Sequence, residues 1–96
     1  MQNPDVPTHI QLDEMLFDNR LDEVIQAING ITNPSPEMLS KQGLAYYRKE
    51  DYEEASKCFQ AALTSLPDDG ELKELYERSK INAWTSINEF VPEVFH

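Results

Sequence analysis

The stretch LSKQGLAYYRKEDYEEASKCFQAALTSLP, residues 39–67, decides the fold of this chain. Small and aromatic residues recur in it at helical spacings, namely Gly43, Tyr46, Ala55, Phe59 and Ala62. Two antiparallel helices approach closely only where small side chains lie at the contact and larger rings fill the space beside them. The spacing therefore predicts a helical hairpin in which the glycine and the first alanine lie at the close contact.

This stretch resembles a tetratricopeptide repeat, a unit of about 34 residues with Trp, Leu, Gly and Tyr on its first helix and Ala, Phe and Pro further on. Pro67 closes the match. Leu39 stands where the family prefers Trp, and Gln42 where it prefers Leu. The resemblance implies an all-α fold of antiparallel helix–turn–helix repeats, a fragment of a right-handed α-solenoid.

A weaker copy of the pattern precedes this repeat, over residues 8–36. With an offset of 31 residues, Val24 aligns with Ala55 and Ile28 aligns with Phe59. The first copy matches in hydrophobic pattern only, so it is interpreted as a degenerate repeat.

The remaining chain predicts one further helix and two terminal segments. Residues 68–91 do not repeat the pattern and are expected to form a capping helix, which repeat arrays need to keep their last face out of water. With the clear repeat at 37–67, this gives five helices in one domain spanning 8–91. Residues 1–7 are expected to be a disordered leader and residues 92–96 a tail.

Helix-capping residues predict where the five helices begin. In chain order, the expected N-caps are Thr8, Asn19, Ser35, Asp51 and Asp68. The first helix is expected to take its buried and semi-buried positions from four apolar residues: Ile10, Met15, Leu16 and Phe17.

Charge and composition exclude several classes of function. The 96 residues include 18 acidic and 8 basic residues, a net charge of −10, which repels nucleic acid and anionic membranes. The single Cys58 excludes an internal disulfide framework and fits a reducing compartment. The sequence has no apolar run long enough to span a membrane and no signal peptide. A cytoplasmic location is predicted, while a lumenal or nuclear one stays open.

The residue types that catalysis needs are sparse and scattered. His9 and His96 are the only histidines, and no side chain is placed to orient either of them against Cys58. The acidic run at 68–71 lacks the alternating oxygen ligands of a calcium loop and is better explained as a turn before a helix. The sequence therefore predicts no catalytic residue, no cofactor and no metal site.

In the tetratricopeptide family, the first helices of successive repeats line a concave surface that binds a peptide or a helix. The resemblance places seven residues on this groove: His9, Asp13, Leu16, Ser40, Leu44, Tyr47 and Arg48. Some family members bind acidic chaperone tails through a clamp that begins with Lys and Asn, but His9 and Asp13 occupy those positions here and cannot hold a carboxylate. A partly apolar partner that carries a basic residue for Asp13 fits better.

The end of the chain carries apolar residues on more than one helix face. The last helix would be about 33 Å long, against about 21 Å for the fourth, so its end is expected to overhang the repeat. A possible second interface comprises Trp84, Ile87, Phe90, Val91 and Phe95. Three outcomes stay open: docking on a partner or a second copy, cover by the tail, or a bent helix with these residues buried.

Together these patterns predict a non-enzymatic adaptor, co-chaperone or assembly factor that binds a basic or amphipathic protein partner. The alternative is a structural subunit that self-associates, or joins a larger complex, through its C-terminal helix.

Overall fold

The computed structural model describes residues 8–88 of the chain, and for residues 86–88 only the backbone. Five helices occur in chain order: α1 (His9–Phe17), α2 (Leu21–Asn29), α3 (Pro36–Arg48), α4 (Tyr52–Ser65) and α5 (Gly70–Asn88). No strand is present in this part of the chain. The prediction of an all-α fold with five helices is confirmed for the described residues. The predicted leader and tail lie outside them.

Three of the five predicted N-caps are confirmed, namely Thr8, Ser35 and Asp51, and the Asp51 carboxylate accepts the backbone N–H of Glu54 at 3.4 Å. The Thr8 hydroxyl accepts the backbone N–H of Gln11 at 3.1 Å, and the Gln11 side chain accepts the N–H of Thr8 at 2.8 Å. The Ser35 hydroxyl accepts the N–H of Met38 at 3.2 Å, and Pro36 is the first helical residue. Each cap satisfies backbone donors that the first helical turn leaves unpaired.

Two other predicted caps were wrong. Asn19 lies in the turn with φ 61°, and Arg20 is the N-cap of α2. Asparagine is common both at helix N-caps and at turn positions with left-handed backbone, because its short polar side chain forms local hydrogen bonds in either place. At the start of α5 the carboxylate that accepts the N–H of Leu72, at 3.1 Å, belongs to Asp69 and not to Asp68.

Helices α1 and α2 form a first hairpin, and α3 and α4 form a second. The first helix of each hairpin ends in a turn of the same type. Asn19 and Glu50 both adopt left-handed backbone, with φ 61° and 64°. In each turn the N–H of the following residue bonds to the carbonyl five residues earlier, at 2.8 and 2.9 Å. This is the hydrogen bond of a Schellman ending. The two turns lie 31 residues apart, the offset of the sequence alignment. The division into two repeats and a cap stays a prediction.

The core consists of two clusters that meet at α3. The first comprises Leu12, Leu16, Val24, Ile25, Ile28 and Ala45. The second comprises Ala55, Phe59, Ala62 and Leu72. Tyr46 packs against both clusters, so α3 connects the α1–α2 hairpin to α4 and α5.

The predicted close contact between α3 and α4 is confirmed. A Cβ atom on Gly43 would lie only 2.6 Å from Cε1 of Phe59. Ala55 and Ala62 on the same helix as the ring are completely buried. The absence of a side chain on Gly43 is what lets the ring of Phe59 lie against the backbone of α3.

The predicted buried face of α1 was wrong in part. Ile10 and Phe17 are 73% and 90% exposed, whereas Leu12, which was not predicted, is completely buried. Leu12 and Leu16 are four residues apart and share one helix face, which packs into the first cluster. Because a helix of nine residues buries a single narrow stripe, Ile10 and Phe17 fall outside it.

Candidate protein-binding surface

A cleft of about 290 Å³ lies between α3 and α5. Its lining residues come from α3, from the loop between α4 and α5, and from α5: Glu37, Ser40, Lys41, Leu44, Leu66, Asp69, Glu71, Leu72 and Leu75. Ser40 and Leu44 are two of the seven predicted groove residues. The structure thus brings part of the predicted groove into a concave surface.

The cleft combines apolar walls with an excess of negative charge. Among the described residues, four leucines line it, together with three acidic residues and one lysine. That lysine, Lys41, is bound to Asp13 of α1 with Nζ 2.5 Å from Oδ1, so its charge is already partly neutralised. Such a lining suits a ligand that offers an apolar side chain beside a basic one.

The predicted groove residues of α1 have different environments. His9 and Asp13 are exposed at the surface. Leu16 is only 6% exposed and belongs to the first core cluster, so its predicted place on the binding surface is corrected. The α1 face that includes Leu16 is needed for packing against α2 and α3.

Tyr47 and Arg48 at the end of α3 hold neighbouring helices together. The Tyr47 hydroxyl accepts a hydrogen bond from Asn82 Nδ2 at 3.2 Å, and its ring meets that of Tyr52 edge-on at 5.2 Å. Arg48 Nη1 donates to the carbonyl of Leu16 at 2.7 Å. These contacts give both residues a structural role, and contact with a ligand stays a prediction.

Two apolar residues on the predicted second interface helix are exposed. Ile81 is 62% exposed and Trp84 is 64% exposed. The alternative in which α5 bends to bury its apolar residues therefore does not hold for these two. Of the other predicted residues, Ile87 is described in its backbone only, and Phe90, Val91 and Phe95 lie outside the described residues.

A buried polar cluster joins α2, α3 and α4. The side-chain amide of Gln42, 5% exposed, donates to the Ile25 carbonyl at 3.2 Å and to Asn29 Oδ1 at 2.7 Å. Cys58 Sγ lies 3.5 Å from Gln42 Oε1 and donates to it. Gln42 was noted in the sequence as a departure from the family pattern, but the partners that satisfy it inside the protein were not predicted. Residue type alone does not show that Asn29 faces this position.

Cys58 has the environment of a structural thiol. Burial raises its pKa to about 11, and the negative charges of Glu54 and Asp51 add to the shift. A catalytic cysteine needs the opposite shift, because the thiolate is the nucleophile. The folded state retains the thiol proton more tightly than the unfolded chain. Its contribution to stability is therefore complete below pH 9 and is lost as pH rises towards about 11.

The thiol of Cys58 is expected to react slowly in the folded protein. A rise of its pKa from 9.0 to about 11 lowers the thiolate fraction at neutral pH about a hundredfold, and burial slows access further. Reaction with an aromatic disulfide reagent, followed by absorbance, should be at least that much slower than in denaturant. Glutathione measured in both solutions corrects for the solvent. Equal rates in the folded and denatured chain would contradict the buried position.

The described residues contain neither a metal-binding cluster nor a membrane-spanning helix. No three His, Cys, Asp or Glu side chains among them are arranged to hold a metal ion. None of the described helices combines the length and the apolar character needed to cross a bilayer. Of the predicted groove residues, Ser40 and Leu44 line the cleft between α3 and α5.

Comparison with known proteins gives two similarities. Residues 36–69 match the family model described as tetratricopeptide repeat. A protein described as "Tetratricopeptide repeat protein 30 homolog", from Aedes aegypti, is 35% identical over 71 residues, which is 72% of this chain and 11% of that protein. The chain therefore spans only about a tenth of that relative. No solved structure matches the chain.

Proposed function

We propose that this chain, which belongs to the tetratricopeptide repeat family, is a non-enzymatic interaction module that binds a basic, partly apolar peptide in the α3–α5 cleft. Repeats of this family generally mediate protein–protein interaction. An adaptor or assembly factor in the cytoplasm is the role that fits the acidic surface and the single buried thiol best.

The observation that carries this proposal is the lining of the cleft. Leucines from α3, the α4–α5 loop and α5 form an apolar floor, while Glu37, Asp69 and Glu71 supply negative charge around it. Lys41 is paired with Asp13, so the local field favours a cation. A ligand with a leucine-sized side chain next to Arg or Lys would bury the first on the floor and pair the second with a carboxylate.

The proposal predicts which charges the ligand needs. A peptide array with Leu placed beside Arg, Lys, Glu or Ser should give the strongest binding for the Leu–Arg and Leu–Lys peptides. For the best peptide, the double change Glu37→Gln and Glu71→Gln should weaken binding about tenfold, as fluorescence anisotropy would show.

The matched control is Glu53→Gln with Glu77→Gln, which removes the same charge from exposed positions outside the cleft. Equal weakening by both pairs would mean that the peptide responds to net charge and not to this cleft. The change of Leu44 and Tyr47 to alanine is a poorer test, because both pack against the second core cluster and their loss lowers stability.

A second candidate function is that of a structural subunit that associates through α5. The exposed Ile81 and Trp84 support it. Sedimentation separates the two functions: a monomer at high concentration favours the adaptor, whereas a dimer lost on Trp84→Ser favours the subunit.

A further inference from the structure

The outer face of α1 carries two large apolar side chains in water. Ile10 is 73% exposed and Phe17 is 90% exposed. They are seven residues apart, so they lie on one side of the helix about two turns from each other. Between them lies an open notch of about 430 Å³ that is also lined by Asp13, Glu14 and Asp18.

The polar lining of this notch is entirely acidic. Among the described residues, its three polar lining residues are carboxylates and none is basic. Asp13 is bound to Lys41, while Glu14 and Asp18 have no ion pair among the described residues. The notch and the α3–α5 cleft share no lining residue, and the Asp13–Lys41 ion pair joins their rims.

We propose that this α1 face, formed by Ile10, Glu14, Phe17 and Asp18, binds a cationic amphipathic helix of a partner protein. An apolar side chain of that helix enters the notch between Ile10 and Phe17. Lysine or arginine residues on the flanks of the same helix pair with Glu14 and Asp18.

Charge and geometry together select this partner. The spacing of the face is i, i+4, i+7 and i+8, the ridge that one helix offers to another. A second copy of this chain, with net charge −10, and an anionic lipid surface are both repelled by the carboxylates. A cationic helix gains from the same field and covers the apolar side chains at once.

The probe is a fluorescein-labelled synthetic helix of leucine and lysine, with leucines on one face and lysines on the other. A second peptide with glutamate in place of lysine tests the sign of the charge. Binding to the full chain is measured by anisotropy at low and at moderate salt. The lysine peptide should bind, with an affinity that falls as salt rises, and the glutamate peptide should not.

Two variants test the face, each with a matched control. Phe17→Ser should weaken binding of the lysine peptide about tenfold or more, because a central aromatic anchor is lost. Ile81→Ser removes another exposed apolar residue, 62% exposed, from α5 and should leave binding unchanged. Glu14→Gln with Asp18→Asn should weaken binding several-fold and flatten its salt dependence, whereas Glu53→Gln with Glu77→Gln should not.

Equal losses in the face variants and the controls would overturn the proposal, since the peptide would then respond only to an acidic protein. Self-association of the wild-type chain that Phe17→Ser abolishes would also overturn it and assign the face to a second copy. Because the lysine helix also offers leucine beside lysine, the face variants and their controls are compared in the Glu37→Gln, Glu71→Gln background, in which the cleft is weakened. Loss of the remaining binding on Phe17→Ser then reports on the α1 face and not on the cleft. Phe17 and Ile81 are exposed, and circular dichroism checks that each variant is folded.

Discussion

Replacing Phe59 by alanine is expected to lower the free energy of unfolding by about 3–5 kcal/mol, the usual cost of truncating a buried aromatic side chain. The ring is completely buried and lies against the backbone of α3 at Gly43. Since a domain of this size is marginally stable, by about 5–15 kcal/mol at most, the variant should be largely unfolded on mild heating. Urea unfolding followed by circular dichroism measures the change.

The control is Phe17→Ala, which removes the same ring from a position that is 90% exposed. It should change the unfolding free energy by less than about 0.5 kcal/mol. If both alanine variants unfolded at the same urea concentration, Phe59 would not be the centre of the second core cluster.

The α3–α4 hairpin could be predicted from the sequence because its pattern is long and specific. Small residues and rings recur over two helices of 13 and 14 residues, so few other arrangements satisfy the spacing. The helical spacing of Leu72, Leu75, Tyr76 and Ser79 likewise fixes the inner face of α5: Leu72 belongs to the second core cluster, Leu75 and Tyr76 pack against it, and Ser79 is completely buried. In both cases the helices are long enough for the period of the pattern to fix the buried face.

The register of α1 could not be fixed in the same way. In nine residues, Ile10, Leu12, Leu16 and Phe17 allow more than one apolar stripe. Only packing against α2 and α3 selects the stripe that contains Leu12. One signal did exist: the 31-residue offset places Leu12 at the position of Gly43. A buried residue is expected there, because the second hairpin has its closest contact at that position.

The binding surfaces were harder to predict than the fold, because they depend on how the helices pack. The cleft forms only because α5 packs on α4 and so faces α3. Two of its acidic residues, Asp69 and Glu71, lie at the start of α5. The family pattern assigned Leu16 to a ligand, but the short α1 uses it for the core. Exposure of Phe17 could not be inferred from a residue type that is usually buried.

Gly43→Leu is expected to lower the free energy of unfolding by about 3 kcal/mol, at the upper end of overpacking costs. A Cβ alone would lie 2.6 Å from the ring of Phe59, and leucine adds three more carbon atoms. The control is Gly70→Leu, since nothing lies within 4 Å of a Cβ at that position. It should leave the urea midpoint near that of the wild type.

A second change should relieve part of this loss. In the first hairpin, the positions equivalent to Gly43 and Phe59 hold Leu12 and Ile28, and both are buried in one cluster. The first hairpin therefore has a larger residue on its first helix and a smaller one on its second. The double variant Gly43→Leu with Phe59→Ile copies that pair into the second hairpin and should unfold at higher urea than Gly43→Leu alone.

The double-mutant cycle for these two positions measures their coupling. Because the residues are in contact, the two changes should deviate from additivity by about 1–3 kcal/mol in the stabilising direction. Strict additivity would mean that the ring and the glycine do not share one space, and the explanation of the small–large spacing would fail. A positive coupling would show that each hairpin requires a combined side-chain volume at this crossing. The glycine is then one way of meeting that requirement, and the leucine of the first hairpin is another.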